Sequence, residues 1–577
     1  MRSLPDRPRS LPDRADRSDR SDRPGRPTRR AVLGATAALA GSGLLAACSD
    51  AGSGAGSGAG SGAGSGAGSG AAAGSGMDHG SMNHGGPSPA ASPGGYVDPA
   101  GPEVQAAEAA RKATGPLSEV KLTATATPLD LGGGLTVRSW AYGDRLPGQE
   151  VRVTAGGTLA LTLANNLPQA TSLHWHGLAL RNDMDGVPGL TQREIAPGGS
   201  FTYRFAVPHP GTYWFHPHSG AQQDRGLYAP LVVEDPKEPL SYDKEWVVVL
   251  DDWIDGVDGT TPDAVLAELR KGMDMNAGGG HAGHGGGATP QTPAAGGAPK
   301  RLLMGGESDV LGKDPGDVAY PYYLVNGRTA QDPSVFAARP GDRIRLRIVN
   351  AGGDTAFRIA LGGHELTVTH TDGYPVEHAK TGSLLLGMGE RYDVLVTAQD
   401  GVFPLTALAE GKGGSASALA LLRTGPGTAP TAATRPAELA GRPLTADALR
   451  AAGPAALAAR TPDRTIGIEL TGGMAEYDWA FDGKPYTPDQ RHPVKAGERV
   501  RLEFNNSTTM WHPLHLHGHT FALGGGAGGA RKDTALILPK GKLTVDFDAD
   551  NPGLWMVHCH NVYHAEAGMM TVLGYRR

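Results

Sequence analysis

The chain has 577 residues, including 87 glycines, 44 prolines and two cysteines, with 6% aromatic residues and a formal net charge of −6. That length allows about three domains plus tails, and the glycine and proline content suits many short strands joined by turns. The acidic balance argues against nucleic acid as a partner, and no run of eighteen or more strongly apolar residues is present, so no transmembrane helix is expected.

In chain order, residues 1–47 read as an export signal. Met1 to Arg30 is rich in Arg, Asp and Pro, and Arg-Ser-Leu-Pro-Asp-Arg occurs twice. Thr28-Arg29-Arg30-Ala31-Val32-Leu33 resembles a twin-arginine motif, a route that exports proteins already folded. Leu45-Ala46-Ala47-Cys48 resembles a lipobox, in which Cys48 becomes the lipidated first residue. The alternative is a plain cleavage site near Ala47. The protein is therefore expected to be exported, extracytoplasmic and anchored to the membrane through lipid on Cys48. Cleavage removes ten arginines and five aspartates, which leaves the mature chain near −11. Residues 48–116 are predicted to be a tether: a Gly-Ser-Gly-Ala repeat runs from Ala51 to Gly76, and a Met/His segment follows from Met77 to His84. Its average reach is roughly 40–50 Å.

The body reads as all-β. Val151-Arg152-Val153-Thr154, Thr158 to Leu163 and Ser200 to Phe205 alternate as half-buried strands, punctuated by Ala155-Gly156-Gly157 and Pro197-Gly198-Gly199. The predicted domains are 117–236, 237–430 and 462–577, with a Pro/Ala-rich linker at 431–461. The second contains strands such as Arg343 to Ile348 and a Met/His-rich insert at about 272–300, which includes Met273, Met275, His281 and His284. Val500 to Asn506 echoes Leu159 to Asn166, and a His-rich segment follows each, as expected after domain duplication.

Four clusters carry the chemistry: His174-Trp175-His176, His216-Pro217-His218, His512-Pro513-Leu514-His515-Leu516-His517, and His558-Cys559-His560 with His564 and Met569. Residues two apart on a strand share a face, so each His-x-His aims two imidazoles at one point. Eight such histidines exceed what one zinc ion needs and imply several metal ions. Cys559 faces the other way, where His512, His564 and an axial Met569 complete the ligand set of a blue-copper site. A site that collects single electrons beside a multi-copper cluster is suited to reducing dioxygen, which takes four electrons to become two waters. Isolated His-x-His pairs also occur in zinc hydrolases and cupins, but neither uses a lone cysteine between two histidines.

On these motifs the chain, over roughly Leu117 to Arg577, resembles the three-domain multicopper oxidases, the family of laccases, copper-efflux oxidases and ferroxidases. The resemblance implies three cupredoxin-like Greek-key β-barrel domains and four copper ions. His512, Cys559, His564 and Met569 match the type 1 ligands, and His174 and His515 the type 2 ligands. The type 3 pair matches His176, His216 and His560 on one copper, and His218, His517 and His558 on the other. Asp185 matches a family acid that relays protons to the cluster, against a plain turn aspartate before Gly186. The family often places a second acid directly after the last type 1 histidine. Here Ala565 stands there, with Glu566 one residue later. Expected partners are O2 and a small reducing substrate: copper(I), with iron(II) or phenols as alternatives. The Met/His segments read as copper-capture segments, and the protein as a monomeric copper-resistance oxidase. A non-catalytic copper-sequestering lipoprotein is the reading from another class. His209, His364, His370, His378, His492 and His519 are expected to be structural or surface residues.

Overall fold

The computed structural model describes residues 95–272 and 300–577. The export signal, Cys48, the Gly/Ser repeat, the Met77–His84 segment and the insert that begins at Met273 lie outside the described residues.

The body is all-β, as expected, and its strands form six sheets that follow one another along the chain in pairs. Strands between Leu117 and Glu234 make two four-stranded sheets. Those between Lys244 and Arg423 make sheets of seven and five strands, and those between Arg464 and Arg576 sheets of six and five. One pairing scheme recurs in all three. In the larger or first sheet of each pair, the opening strand lies parallel to a later one: Leu117–Gly132 to Gly157–Asn166, Lys244–Trp253 to Arg343–Asn350, and Arg464–Thr471 to Arg499–Asn506. In the other sheet a short early strand lies parallel to the last: Val151–Thr154 to Ala229–Glu234, Ser334–Ala337 to Ser417–Arg423, and His492–Lys495 to Met570–Arg576. The alternation of buried with half-buried residues in Gly157–Asn166, exposed only at Asn166, is the period-two pattern of a strand with one face on the core.

Each repeat turns the same corner. Asn165, Asn350 and Asn506 end equivalent strands, are buried, and donate both amide hydrogens to backbone carbonyls. Their carbonyl oxygens accept the backbone N–H of Leu167, Gly352 and Thr508. An amide that satisfies three buried backbone groups is a strong constraint on chain direction. In the first and third repeats the chain leaving the corner becomes a histidine strand.

One boundary is corrected. The tether expected to reach residue 116 ends earlier, because residues from Gly95 onward pack on the body. Val97 and Val104 are buried, Val97 N–H donates to the Tyr575 carbonyl, and Pro102–Ala110 is a helix. Pro102 opens that helix where its missing N–H costs nothing, and one apolar residue, Val104, is enough to seat it. The stretch predicted as a linker, 431–461, also packs down, through Leu439, Leu449 and Ala451.

Candidate metal centre

The strand Leu554–Cys559 is buried along its whole length, and its alternation separates two clusters. His558 Nε2 comes within 3.1 Å of His517 Nε2, and His560 Nε2 within 3.2 Å of His176 Nδ1. Cys559 Sγ lies on the other side, 3.6 Å from His512 Nδ1 and 3.7 Å from His564 Nδ1.

On the first side the eight imidazoles of His174, His176, His216, His218, His515, His517, His558 and His560 form one cage between the first and third domains. Two ring stacks cross that interface, His174 on His517 at 3.7 Å and His176 on His515 at 3.8 Å. Within the cage, potential ligand atoms of His218, His517 and His558 converge, as do those of His174, His515 and His517, and those of His174, His176 and His216. Most outer nitrogens are engaged, Nδ1 of His560 excepted. Nδ1 of His174, His216, His515 and His558 meets the backbone carbonyl of Asp185, Pro217, Asp533 and Cys559, at 2.8–3.0 Å. That leaves Nε2 of His174, His216, His218 and His515 buried with no protein partner. Burial, reinforced by neighbouring imidazoles, holds His176, His216, His218, His517, His558 and His560 well below the ordinary histidine range. Neutral rings with inward lone pairs and no protein partner are a donor set that fits metal ions.

On the second side His512, Cys559 and His564 bring their ligand atoms together, all buried. The short helix Val562–Ala567 positions His564: the Asn561 side chain caps it by accepting from the N–H of Tyr563 and His564. Met569 is buried, and its backbone closes the turn by accepting from Cys559 N–H and donating to the His564 carbonyl. His512 Nε2 meets Thr508 Oγ1 at 2.9 Å, and His564 Nε2 meets Asp317 Oδ2 at 3.0 Å. Asp317 also accepts the Tyr477 hydroxyl, and the Trp479 ring packs 4.4 Å from that of His564. A thiolate with two imidazoles is the donor chemistry of a soft metal site.

Asp185 is buried between two cage residues, with Oδ2 2.9 Å from His517 Nδ1 and its own carbonyl on His174 Nδ1. Glu566 is half-buried and lines a cavity of about 30 Å³ with His216, His218, His558 and His560. Burial pushes its carboxyl up to about 7, against the pull of Arg270. Motif reading missed Asp317, Tyr477, Trp479, Asp533 and Arg391. Only Asp533 had a signal, as an acid inside the run Arg531-Lys532-Asp533-Thr534, and charges so dense ordinarily mark a surface. Of the other histidines, His364 and His519 are buried with both ring nitrogens bonded, as structural residues.

Three family models described as Multicopper oxidase match residues 123–238, 244–427 and 459–576. Multicopper oxidase MmcO of Mycobacterium tuberculosis is 49% identical over 82% of this chain and 90% of its own length. A copper resistance protein A homolog of Pseudomonas syringae pv. tomato is 29% identical over 78% of this chain and 91% of its own. Among solved structures, a multi-copper oxidase from Pseudomonas thermotolerans superposes with a TM-score of 0.58 at 26% identity, covering 80% of this chain and 99% of that one.

Proposed function

The chain belongs to the multicopper oxidases, oxidoreductases that use oxygen, and from that premise we propose that it oxidises copper(I) in copper resistance, outside the cytoplasm. In this reading His512, Cys559, His564 and Met569 would hold the type 1 copper, and His174 and His515 the type 2 copper. His176, His216 and His560 would hold one type 3 copper, and His218, His517 and His558 the other. Bound there, copper supplies one-electron acceptance at the thiolate site and four-electron reduction of dioxygen to water at the histidine cage.

The protein's own residues do the rest. The carbonyls of Asp185, Pro217, Asp533 and Cys559 fix which nitrogen of each ring points inward. Asp185 touches His517 directly and is placed to hold a proton beside the cage; Glu566 lines the small cavity on another side. These two acids are the proposed proton relays.

The observation that carries the copper(I) reading is where the Met/His insert is anchored. A Cβ on Gly272, the last residue described before it, would overlap the Ala475 carbonyl, two residues from Tyr477. On the far side Leu303 N–H donates to the carbonyl of Asp317, whose carboxylate meets His564. The two anchors thus touch the chain segments that carry Tyr477 and Asp317, and the Asp317 carboxylate joins Tyr477 to His564; its other oxygen is buried without a partner. Thioethers prefer copper(I), and a carboxylate suits a cation better than a neutral phenol. The copper-resistance name of a relative agrees with this. A phenol-oxidising or iron(II)-oxidising role is the competing reading. Turnover of copper(I), iron(II) and a phenol on one preparation separates the three: copper(I) should have the highest kcat/KM, and a phenol ahead of it would reverse the assignment.

Export by the twin-arginine route, lipidation of Cys48 and a monomeric state complete the proposal and rest on sequence alone. Cys48→Ala should release the protein from membranes and abolish incorporation of labelled fatty acid; light scattering reports the monomer.

A further inference from the structure

The second domain contributes no copper motif, yet it reaches the histidine cage from behind. Arg391 is fully buried and grips Asp533 of the third domain bidentately, with Nη1 on Oδ1 and Nη2 on Oδ2, both at 2.6 Å. Asp533 Oδ1 in turn lies 3.1 Å from Nε2 of His176, a first-domain residue. The fit is close on every side: a Cβ on Gly177 would overlap the Arg391 guanidinium, and one on Gly389 would sit 2.9 Å from His176 Cε1. Asp372, also of the second domain, accepts the backbone N–H of Asp533 and Thr534 and so holds that strand in register with Arg391.

This contact sets His176 apart. The partnered outer nitrogen of His174, His216, His515, His517 and His558 is Nδ1. For His176 it is Nε2, and Nδ1 is the atom that faces His560. An ionised carboxylate only accepts, and the Thr534 hydroxyl, 3.0 Å from the same nitrogen, donates to Asp533 Oδ1, so both favour the tautomer with hydrogen on Nε2, which leaves the Nδ1 lone pair inside the cage. Either oxygen would accept in the same way; what the planar guanidinium bonded to both adds is position, holding the carboxylate against Nε2 instead of letting it swing away.

We infer that Arg391 is a positioning residue for the copper cage: by clamping Asp533 it selects which nitrogen of His176 is offered to metal, so the domain without ligands governs one of the ligands. The inference rests on the cage being the trinuclear copper site. The test uses the full chain carrying Asp533→Asn or Arg391→Lys, loaded with copper(II) beside the wild type. Each sample is measured for copper content, the blue type 1 band and its paramagnetic resonance, the type 2 resonance and near-ultraviolet type 3 absorption. Nitrogen-15 shifts of the imidazoles report tautomers in the metal-free proteins. Asp533→Asn should keep the type 1 signals, lower copper affinity of the cage about 10–100-fold and turn His176 into a tautomer mixture. Arg391→Lys, which keeps the charge but grips one oxygen, should fall between. Wild-type type 2 and type 3 signals with an unchanged tautomer in both variants would overturn the inference, as would joint loss of type 1 and cage signals, which marks a folding role alone. A wild type without type 2 or type 3 signals would instead remove the copper-cage reading, and the tautomer measurement, which needs no metal, still decides the role of Asp533.

Discussion

The second and third domains are built alike and used differently. Arg343–Asn350 and Arg499–Asn506 each lie parallel to their domain's opening strand and antiparallel to a later one, and each ends in an asparagine that makes the same three bonds. Past the corner the third domain continues as His512–Leu516 and the second as Phe357–Leu361, a strand of Phe-Arg-Ile-Ala-Leu. The corner delivers a strand; the residues on that strand decide whether it binds metal. Relieved of ligands, the second domain instead supports those of its neighbours, Asp317 touching His564 directly and Arg391 reaching His176 through Asp533. Metal binding is thus a layer added to a fold that stands without it.

The comparison breaks most visibly at Cys559, which has no counterpart in the second domain. Cys559→Ser should abolish the blue band and substrate oxidation while most cage copper remains; a variant that stays blue would refute the ligand assignment. Next in size is Asp185, an acid of the first domain. In Asp185→Asn, reduction of the blue site by substrate should keep near-normal speed in stopped flow while reoxidation by oxygen slows about 100-fold or more. Unchanged reoxidation across the pH range would leave it a turn residue that orients His517.

Asparagine substitution at the corners sharpens the contrast directly. Asn350→Ala and Asn506→Ala should each cost roughly 2–4 kcal/mol in denaturant unfolding, since each strands buried backbone groups. Only Asn506→Ala should also weaken the blue band, because His512 follows that corner. Equal spectral damage from both would mean the domains are not separable in this way. The smallest effect concerns the insert. Deleting 273–299 should raise the apparent KM for copper(I) several-fold and leave that for a phenol and the copper content unchanged; parallel changes for both substrates would move the preference to the phenol-oxidising reading.

The strands and the convergence of the four clusters were legible because both obey period two. Gly157–Asn166 alternates cleanly, and His558 and His560 part from Cys559 by that rule alone. What escaped was burial of charge. Arg345 and Arg347 alternate in a strand that reads as half solvent-facing, yet both are buried against Asp393, whose carboxyl lies well below the usual range: burial opposes its ionisation and the two guanidiniums outweigh it. Asp533 and Arg391 stand 142 residues apart, and no local period connects them. The early end of the tether was missed for a simpler reason, since one buried valine in a short alanine-rich helix leaves almost no periodic signal.

The cage between the outer domains also sets a timetable. About 340 residues separate His174 from His517, and at about 5–20 residues per second a ribosome needs on the order of 20–70 s to make them. Through that interval His174, His176, His216 and His218 have no third-domain partners, and imidazoles alone are a donor set that zinc also accepts. A first domain that folded during synthesis would therefore offer those rings to any metal present until the third domain was made.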